Sequence, residues 1–339
     1  MMPILAQVFK NKFLKEKFSV GLDIGTSELK LIKTELDKEN QQLTSFLVEP
    51  VGQNLGAALK RIAQEQGLKK VNISVSGPSA IIRYVSLPRM TEEELKQAVK
   101  FEVEKHIPFP VSEVNADAHI LRNDLADNKM LVLIAAVKKE FLNQRIKLLE
   151  EAGLRINTVA IDSVALVNAF NFNYPELDKT KAVALLNIGA AFSNLNILEG
   201  GSPRLSRDIH IAGNNFTRKI ADTLGVDLKV AEALKLNPDK ERLEKVNSAV
   251  DLVLSQLAIE TRISFDYHES QSASTVAKIF LSGGASLYPG LKENLANALG
   301  VGVDYWDPFK QITLSPQLDA LVLKLMGAKL ATAAGLALL

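Results

Sequence analysis

The sequence predicts a duplicated α/β protein of two domains with a smaller α+β insert in the first, and three observations carry that reading. A hairpin pattern occurs twice. "VGLDIGTSELKLIKT" (20–34) and "ALLNIGAAFSNLNIL" (184–198) each run from an apolar strand through a glycine turn into alternating apolar positions, and laying Asp23 on Asn187 lays Gly25 on Gly189. Each copy opens a β-β-β-α series. Between the halves lies "NFNYPELDKTK" (171–181), a polar stretch containing Pro175 that reads as the crossover.

The first half then reads as strand ("FSVGLDIG"), turn, strand ("ELKLIKTEL"), a third apolar run ("LTSFLVEP"), a helix over "GAALKRIAQEQG" and a strand ("KVNISVSG"). Beyond Pro88, Thr91 and Glu94 stand at capping-box spacing and Leu95, Val99 and Val103 recur about a turn apart, which predicts a helix over 91–106 ended by "IPFP". A strand-like "VNADAHILR", a polar turn, the buried-type strand "MLVLIAAV", a helix ("KKEFLNQRIKLLEEAG"), the strand "INTVAI" and a helix from Asp162 follow. The second half gives three strands, a glycine-opened helix ("GNNFTRKIADTLG"), a short helix ending near "EALKLN", a long helix over about 240–270, "KIFLSGG" as a strand, a helix, a short strand and a closing helix. The expected organisation is an arm at 1–18, domain I at 19–78, 156–180 and 316–339, the insert at 79–155, and domain II at 181–315 with a subdomain near 213–274.

Composition excludes several classes. Forty basic against 39 acidic residues leave no field to attract nucleic acid, and 6% aromatic content offers little for bases to stack on. Cysteine is absent, which removes thiolate nucleophiles, disulfides and cysteine zinc sites. The four histidines lack metal-ligand spacing. Apolar runs such as 130–137 fall short of the roughly 20 residues needed to cross a bilayer, and Lys324 and Lys329 interrupt the apolar C-terminus, so no spanning segment is expected. Residues 1–18 do not read as a cleaved signal; Leu5, Val8, Phe9 and Phe13 would form one face of a basic amphipathic segment, for peripheral contact with anionic lipid or packing on the protein itself.

A hairpin turn holding Gly, Thr and Ser lets backbone N–H groups and short hydroxyls converge on an anion, and glycine admits a phosphate close to the main chain. Asp23 would hold a hydrated Mg²⁺, a hard cation that takes few carboxylates and keeps its waters. Lys30 starts within reach of a phosphate. "LSGGAS" (281–286), a strand, two glycines and a helix start, is a further place for a nucleoside or phosphate. Taken singly, "DIGTS" is an ordinary hairpin with a solvated aspartate; three glycine sites in this order point instead to a nucleotide.

These segments resemble the phosphate 1, phosphate 2 and adenosine motifs of the actin-like ATPase superfamily, a duplicated ribonuclease H-like fold. Within it, "QAVKFEVEKHIPFPVSEVNADAHIL" is similar to the signature insert, subdomain 1C, of the PilM family of type IV pilus assembly proteins, relatives of FtsA; "RDIHIAGNNFTRKIADTLGV", "AEALK" and "ISFDYHESQS" are similar to further segments of that family. The resemblance implies ATP or ADP with Mg²⁺ bound between two domains. It assigns Mg²⁺ to Asp23, phosphate contacts to Gly25, Thr26, Ser27 and Lys30, and the second phosphate loop to Gly189, Ala190 and Ser193. Gly213 and Asn214 are implied near the nucleotide, Glu232 and Lys235 at the ribose or base, Gly283, Gly284 and Ser286 behind the adenosine, and Asp162 beside the catalytic water. It also implies a PilN-like bitopic inner-membrane partner at 79–155, and a place at the cytoplasmic face of that membrane. Self-association is a further expectation.

The sequence departs from the superfamily pattern at Asn187, where the second loop normally begins with aspartate. Asparagine can hold a water or phosphate but supplies neither negative charge nor a base, so slow or absent hydrolysis is expected. An active ATPase, a small-molecule kinase of the same fold and a polymerising cytoskeletal protein stand as alternatives to a nucleotide-binding scaffold.

Overall fold

The computed structural model describes residues 18–37, 40–178, 180–272 and 274–339. Of the arm expected at 1–18, all but Phe18 lies outside the described residues. The chain divides into two compact units. One takes the described residues up to Pro175 together with Pro308–Lys324 and Leu330–Leu339; the other takes Glu176–Asp307 and Leu325–Lys329.

The first unit begins with β1 (Phe18–Ile24), β2 (Glu28–Asp37), β3 (Asn40–Pro50), α1 (Leu55–Glu65) and β4 (Lys70–Val75), continues through β5 (Ala80–Pro88), α2 (Glu92–His106), β6 (Val114–Leu125), β7 (Lys129–Lys138) and α3 (Lys139–Glu151), and reaches β8 (Arg155–Ile161) and α4 (Asp162–Asn173). The second has β9 (Ala182–Ile188), β10 (Ser193–Glu199), β11 (Ser202–Ile209), α5 (Gly213–Leu224), α6 (Leu228–Leu236), α7 (Leu243–Gln271), β12 (Val276–Ser282), α8 (Leu291–Leu299) and β13 (Gly302–Tyr305). The chain closes with β14 (Thr313–Leu314) and α9 (Ala320–Ala337). The sheet orders β3-β2-β1-β4-β8 and β11-β10-β9-β12-β13 match strand for strand, with β14 added beside β3. In both, an antiparallel meander joins parallel strands, so the duplication is one of topology as well as motif.

A third sheet, β5-β7-β6, holds the predicted buried strand at its centre. On β7, Met130, Val132, Ile134 and Ala136 pack with Leu95 and Val103 of α2, while Leu133, Ala135 and Val137 join Leu142 and Leu149 of α3 in the core that also contains Leu22, Ile73 and Val159. Successive strand residues face opposite sides, and both sides are buried here, hence a continuous apolar run where a half-buried strand would alternate. The predicted capping box is present at the start of α2. Glu94 N–H donates to Thr91 Oγ1 at 3.2 Å and Thr91 N–H donates to the Glu94 carboxylate at 2.7 Å.

Among the described residues one helix, α9, is long and apolar enough to cross a membrane, with a mean hydropathy of 1.5; 61% of it is buried within the protein. Its C-terminal part is a core helix of the first unit. Asn72 Nδ2 donates to Leu336 O at 2.9 Å and Thr34 Oγ1 to Ala337 O at 3.3 Å. Close approach rests on two glycines: a Cβ on Gly21 would lie 2.1 Å from Ala333 O, and one on Gly335 would lie 1.9 Å from Ala165 O. Backbone on both sides cannot yield. Gly335→Ala is therefore expected to destabilise the protein by about 3 kcal/mol in urea unfolding, at the upper end of overpacking. Gly302→Ala, where nothing lies within 4 Å, should stay within about 0.5 kcal/mol of wild type; equal stability of the two variants would contradict this packing.

Candidate functional site

In the first unit, β1 carries Asp23 one residue before its end, and the register of the hairpin sets Lys30 directly opposite. Lys30 Nζ lies 3.0 Å from Asp23 Oδ2, with side-chain exposures of 13% and 14%. The turn closes through Gly25 N–H donating to Glu28 O at 3.1 Å. A Cβ on Gly25 would meet that oxygen at 2.8 Å and Lys30 Nζ at 3.2 Å, so glycine is required by space alone. Thr26 and Ser27 stand exposed at the tip. Asp162 opens α4 directly after β8, and its field reaches Lys30. Sequence reasoning missed Arg145. It projects from α3 into the same electrostatic neighbourhood, where Asp162 and Asp23 both act on its guanidinium. Its position on the helix, three residues after buried Leu142 and four before buried Leu149, was the available signal: a cation on an apolar face.

Burial by itself would pull the Lys30 pKa down, but attraction and the hydrogen bond from Asp23, with smaller contributions from Glu28 and Asp162, leave it above the ordinary value. The stabilisation this carries is fully present below the ordinary lysine value of 10.5 and is lost as pH rises through the higher folded value.

The second hairpin repeats the geometry with different charge. Gly189 N–H donates to Phe192 O at 3.0 Å, and a Cβ on Gly189 would lie 2.9 Å from that oxygen. Opposite Asn187 stands Asn194. Asn187 Oδ1 accepts from Ser282 Oγ at 3.0 Å, while Asn194 Nδ2 donates to Asp208 Oδ1 at 2.6 Å. A polar row, Ser282–Asn187–Asn194–Asp208, thus crosses four neighbouring strands, and its carboxylate sits two strands from the position where the superfamily pattern has one.

The other predicted positions of this unit gather around the second turn. Gly213 N–H and Asn214 N–H at the start of α5 donate to Gly189 O and Ala190 O at 3.0 and 2.8 Å. A Cβ on Gly213 would lie 3.0 Å from Ala285 Cβ and 3.3 Å from Gly189 O. Gly283, at φ 91°, puts its α-carbon where a Cβ would be 2.3 Å from Ile188 O, and Gly284 begins the single helical turn that follows. Ser286 is buried, its hydroxyl donating to Gly283 O at 2.7 Å. Ser193 is also fully buried and its hydroxyl donates to Ile211 O at 2.6 Å, which commits it to the main chain. Lys235 Nζ donates to Glu232 at 2.7 Å and to Thr217 Oγ1 at 2.9 Å, beside Gly213 O at 3.4 Å. The structure therefore brings Gly189, Ala190, Gly213, Asn214, Gly283, Gly284, Glu232 and Lys235 together in one unit, and Asp23, Gly25, Lys30 and Asp162 in the other.

Two meander-and-crossover units, each with a glycine turn too tight for a side chain, define the duplicated α/β architecture of the actin-like ATPases. The chain belongs to the type IV pilus assembly protein PilM family, whose model matches residues 21–339. It is similar to a chain in a structure described as the PilM-PilN type IV pilus biogenesis complex, at 26% identity and a TM-score of 0.86, covering 96% of this chain and 98% of that one. Two further likenesses concern the fold alone. The ethanolamine utilization protein EutJ from Carboxydothermus hydrogenoformans matches at 15% identity and a TM-score of 0.53, covering 96% and 90% of the two chains. A diol dehydratase-reactivating factor in nucleotide free form matches at 10% identity and 0.56, covering 95% and 99%.

The Asp23–Lys30 pair makes a direct prediction. In Asp23→Asn, burial acts on Lys30 with only Glu28 and Asp162 left to oppose it, so the ammonium should titrate lower than in wild type. NMR of ¹³C-methylated lysines across pH 8–12 reads this shift; an unchanged Lys30 titration would mean that Asp23 does not set its charge.

Proposed function

We propose that this protein is a nucleotide-binding scaffold of a type IV pilus or type II secretion-like assembly machine, held at the cytoplasmic face of the inner membrane by the cytoplasmic N-terminal tail of a PilN-like bitopic membrane protein. The observation that carries the proposal is the likeness, across nearly the full length of both chains, to the complex of PilM with PilN. A small-molecule kinase is not favoured, because the match to the pilus assembly family runs from residue 21 to 339 and includes the insert.

For the partner we infer the insert, residues 79–155. Its sheet ends in β5 and β6, outer strands whose edges suit a short extended peptide gaining main-chain hydrogen bonds. For the nucleotide we infer ATP or ADP with Mg²⁺. At Gly25 and Gly189 no side chain stands between the main chain and an approaching phosphate, and Asp23 supplies a carboxylate that Lys30 now neutralises. Mg²⁺ bound there would offset phosphate charge, while Gly25, Thr26, Ser27 and Lys30 orient the phosphates. Asp162 would orient a water. In the second unit Gly189, Ala190, Gly213 and Asn214 would lie against phosphate, Glu232 and Lys235 at the ribose or base, and Gly283, Gly284 and Ser286 behind the adenosine. Ser193 supports that loop from within, its hydroxyl being already committed.

Hydrolysis should be slow. Asn187 cannot polarise a water as a carboxylate does, and Asp208 is spent on Asn194. Asn187→Asp is expected to raise ATP turnover about tenfold or more, within the range positioned acid–base groups supply, in a phosphate-release assay; vigorous wild-type hydrolysis that Asp23→Ala abolishes would overturn the idea that Asn187 quiets the site.

The partner is tested by fluorescence anisotropy of a labelled tail peptide from the bitopic protein, against the whole chain and against a version with 79–155 replaced by a short linker and verified to bind nucleotide. Binding by the whole chain alone is expected. Equal binding by both, or by neither, would move the partner away from the insert.

A further inference from the structure

Among the described residues of the first unit, Arg145 is a charged side chain with a buried polar atom left without a hydrogen-bond partner. Its Nη1 is buried and has no hydrogen-bond partner, and the guanidinium lies 5.7 Å from the ring centroid of Phe141 on its own helix. A guanidinium carries five donors and keeps its charge, so leaving one buried and unmade is costly unless something arrives to accept it. The groups that act on it are carboxylates, Asp162 foremost and then Asp23. Asp23 already has its cation in Lys30 at 3.0 Å. Asp23 lies one residue before the end of β1 and Asp162 follows β8, in a sheet where β1, β4 and β8 run parallel, so the two carboxylates that act on Arg145 stand at the carboxyl ends of parallel strands, the edge at which open α/β sheets take their ligands. The neighbouring turn at Gly25 is closed to a side chain but leaves Thr26 and Ser27 exposed.

We infer that Arg145 is a phosphate-binding residue of this unit, its guanidinium held by α3 for the polyphosphate of a nucleotide seated on the Gly25–Ser27 turn. The inference rests on the nucleotide reading of that turn. The chemistry matches. A planar fork binds phosphate oxygens in pairs, and a second cation in the field of Asp162 and Asp23 offsets the repulsion that those carboxylates would otherwise exert on an anion. The helix that carries Arg145 continues from β7 without an intervening residue, so the contact also ties the ligand to the central strand of the insert sheet. Sequence alone hides this because β7 and α3 lie more than a hundred residues from Asp23.

The test measures binding to the full chain of MgATP, MgADP, inorganic tripolyphosphate and adenosine by calorimetry, for wild type, Arg145→Gln and Arg145→Lys, with circular dichroism of each variant. Arg145→Gln should lose about 10- to 100-fold in affinity for MgATP and tripolyphosphate, the value of a charge-assisted pair. Arg145→Lys should recover part of the loss, and adenosine should be unaffected. If Arg145→Gln binds MgATP and tripolyphosphate as wild type does, or loses adenosine to the same degree, Arg145 is a structural residue and the inference falls. Arg145-dependent binding of tripolyphosphate without ATP binding would uphold the inference while sinking the nucleotide reading; wild type binding neither would sink both.

Discussion

A glycine amide that reaches the carbonyl three residues on, with no room for a side chain between them, is the constraint on which the candidate site of each unit depends. Gly25 and Glu28 make this closure in one unit and Gly189 and Phe192 in the other, with a Cβ excluded at 2.8 and 2.9 Å. The closure fixes the register of each hairpin, and register decides which residue faces which across the strands. Asp23 meets Lys30, and Asn187 meets Asn194, because the turns close alike. The rest of the second unit's site then stacks on its turn: α5 donates its first amides to the loop, and Gly283 lies against Ile188.

The same strand order and turn closure, carrying different cross-strand pairs, give the two units different charge. The first holds the Asp23–Lys30 ion pair, with Asp162 acting on Lys30 and both carboxylates acting on Arg145. Its second counterpart is a neutral row of amides and a hydroxyl that ends on Asp208. Neutral partners hold geometry without the charge that would place a cation.

The insert is built into the first unit through β7, whose two faces serve two cores. One face packs with α2, the other with α3 and the central sheet. The outer strands β5 and β6 therefore pair with a strand whose side chains are packed in both cores. The same strand runs into α3 and hence toward Arg145.

Features set by neighbours in sequence were legible from the sequence: the glycine hairpins, the Thr91–Glu94 capping box, the doubly buried run at 130–137 and the loss of charge at Asn187. Spacing and local chemistry suffice for each. The two-residue β14 left no periodicity to read, and β5 mixes buried and exposed positions without a strict alternation. Tertiary structure alone decided the fate of side chains whose partners are distant in the chain. It buried the Ser193 hydroxyl against Ile211 O, joined Asn187 to Ser282 and Asn194 to Asp208, and set Arg145 in the field of Asp162 and Asp23. It also buried the C-terminal part of α9 in the core of the first unit, although the helix's length and hydropathy alone would suit a membrane span. Composition states what a segment is able to bury; which surface it buries, and which charges it meets there, follows only when strands and helices from remote parts of the chain pack together.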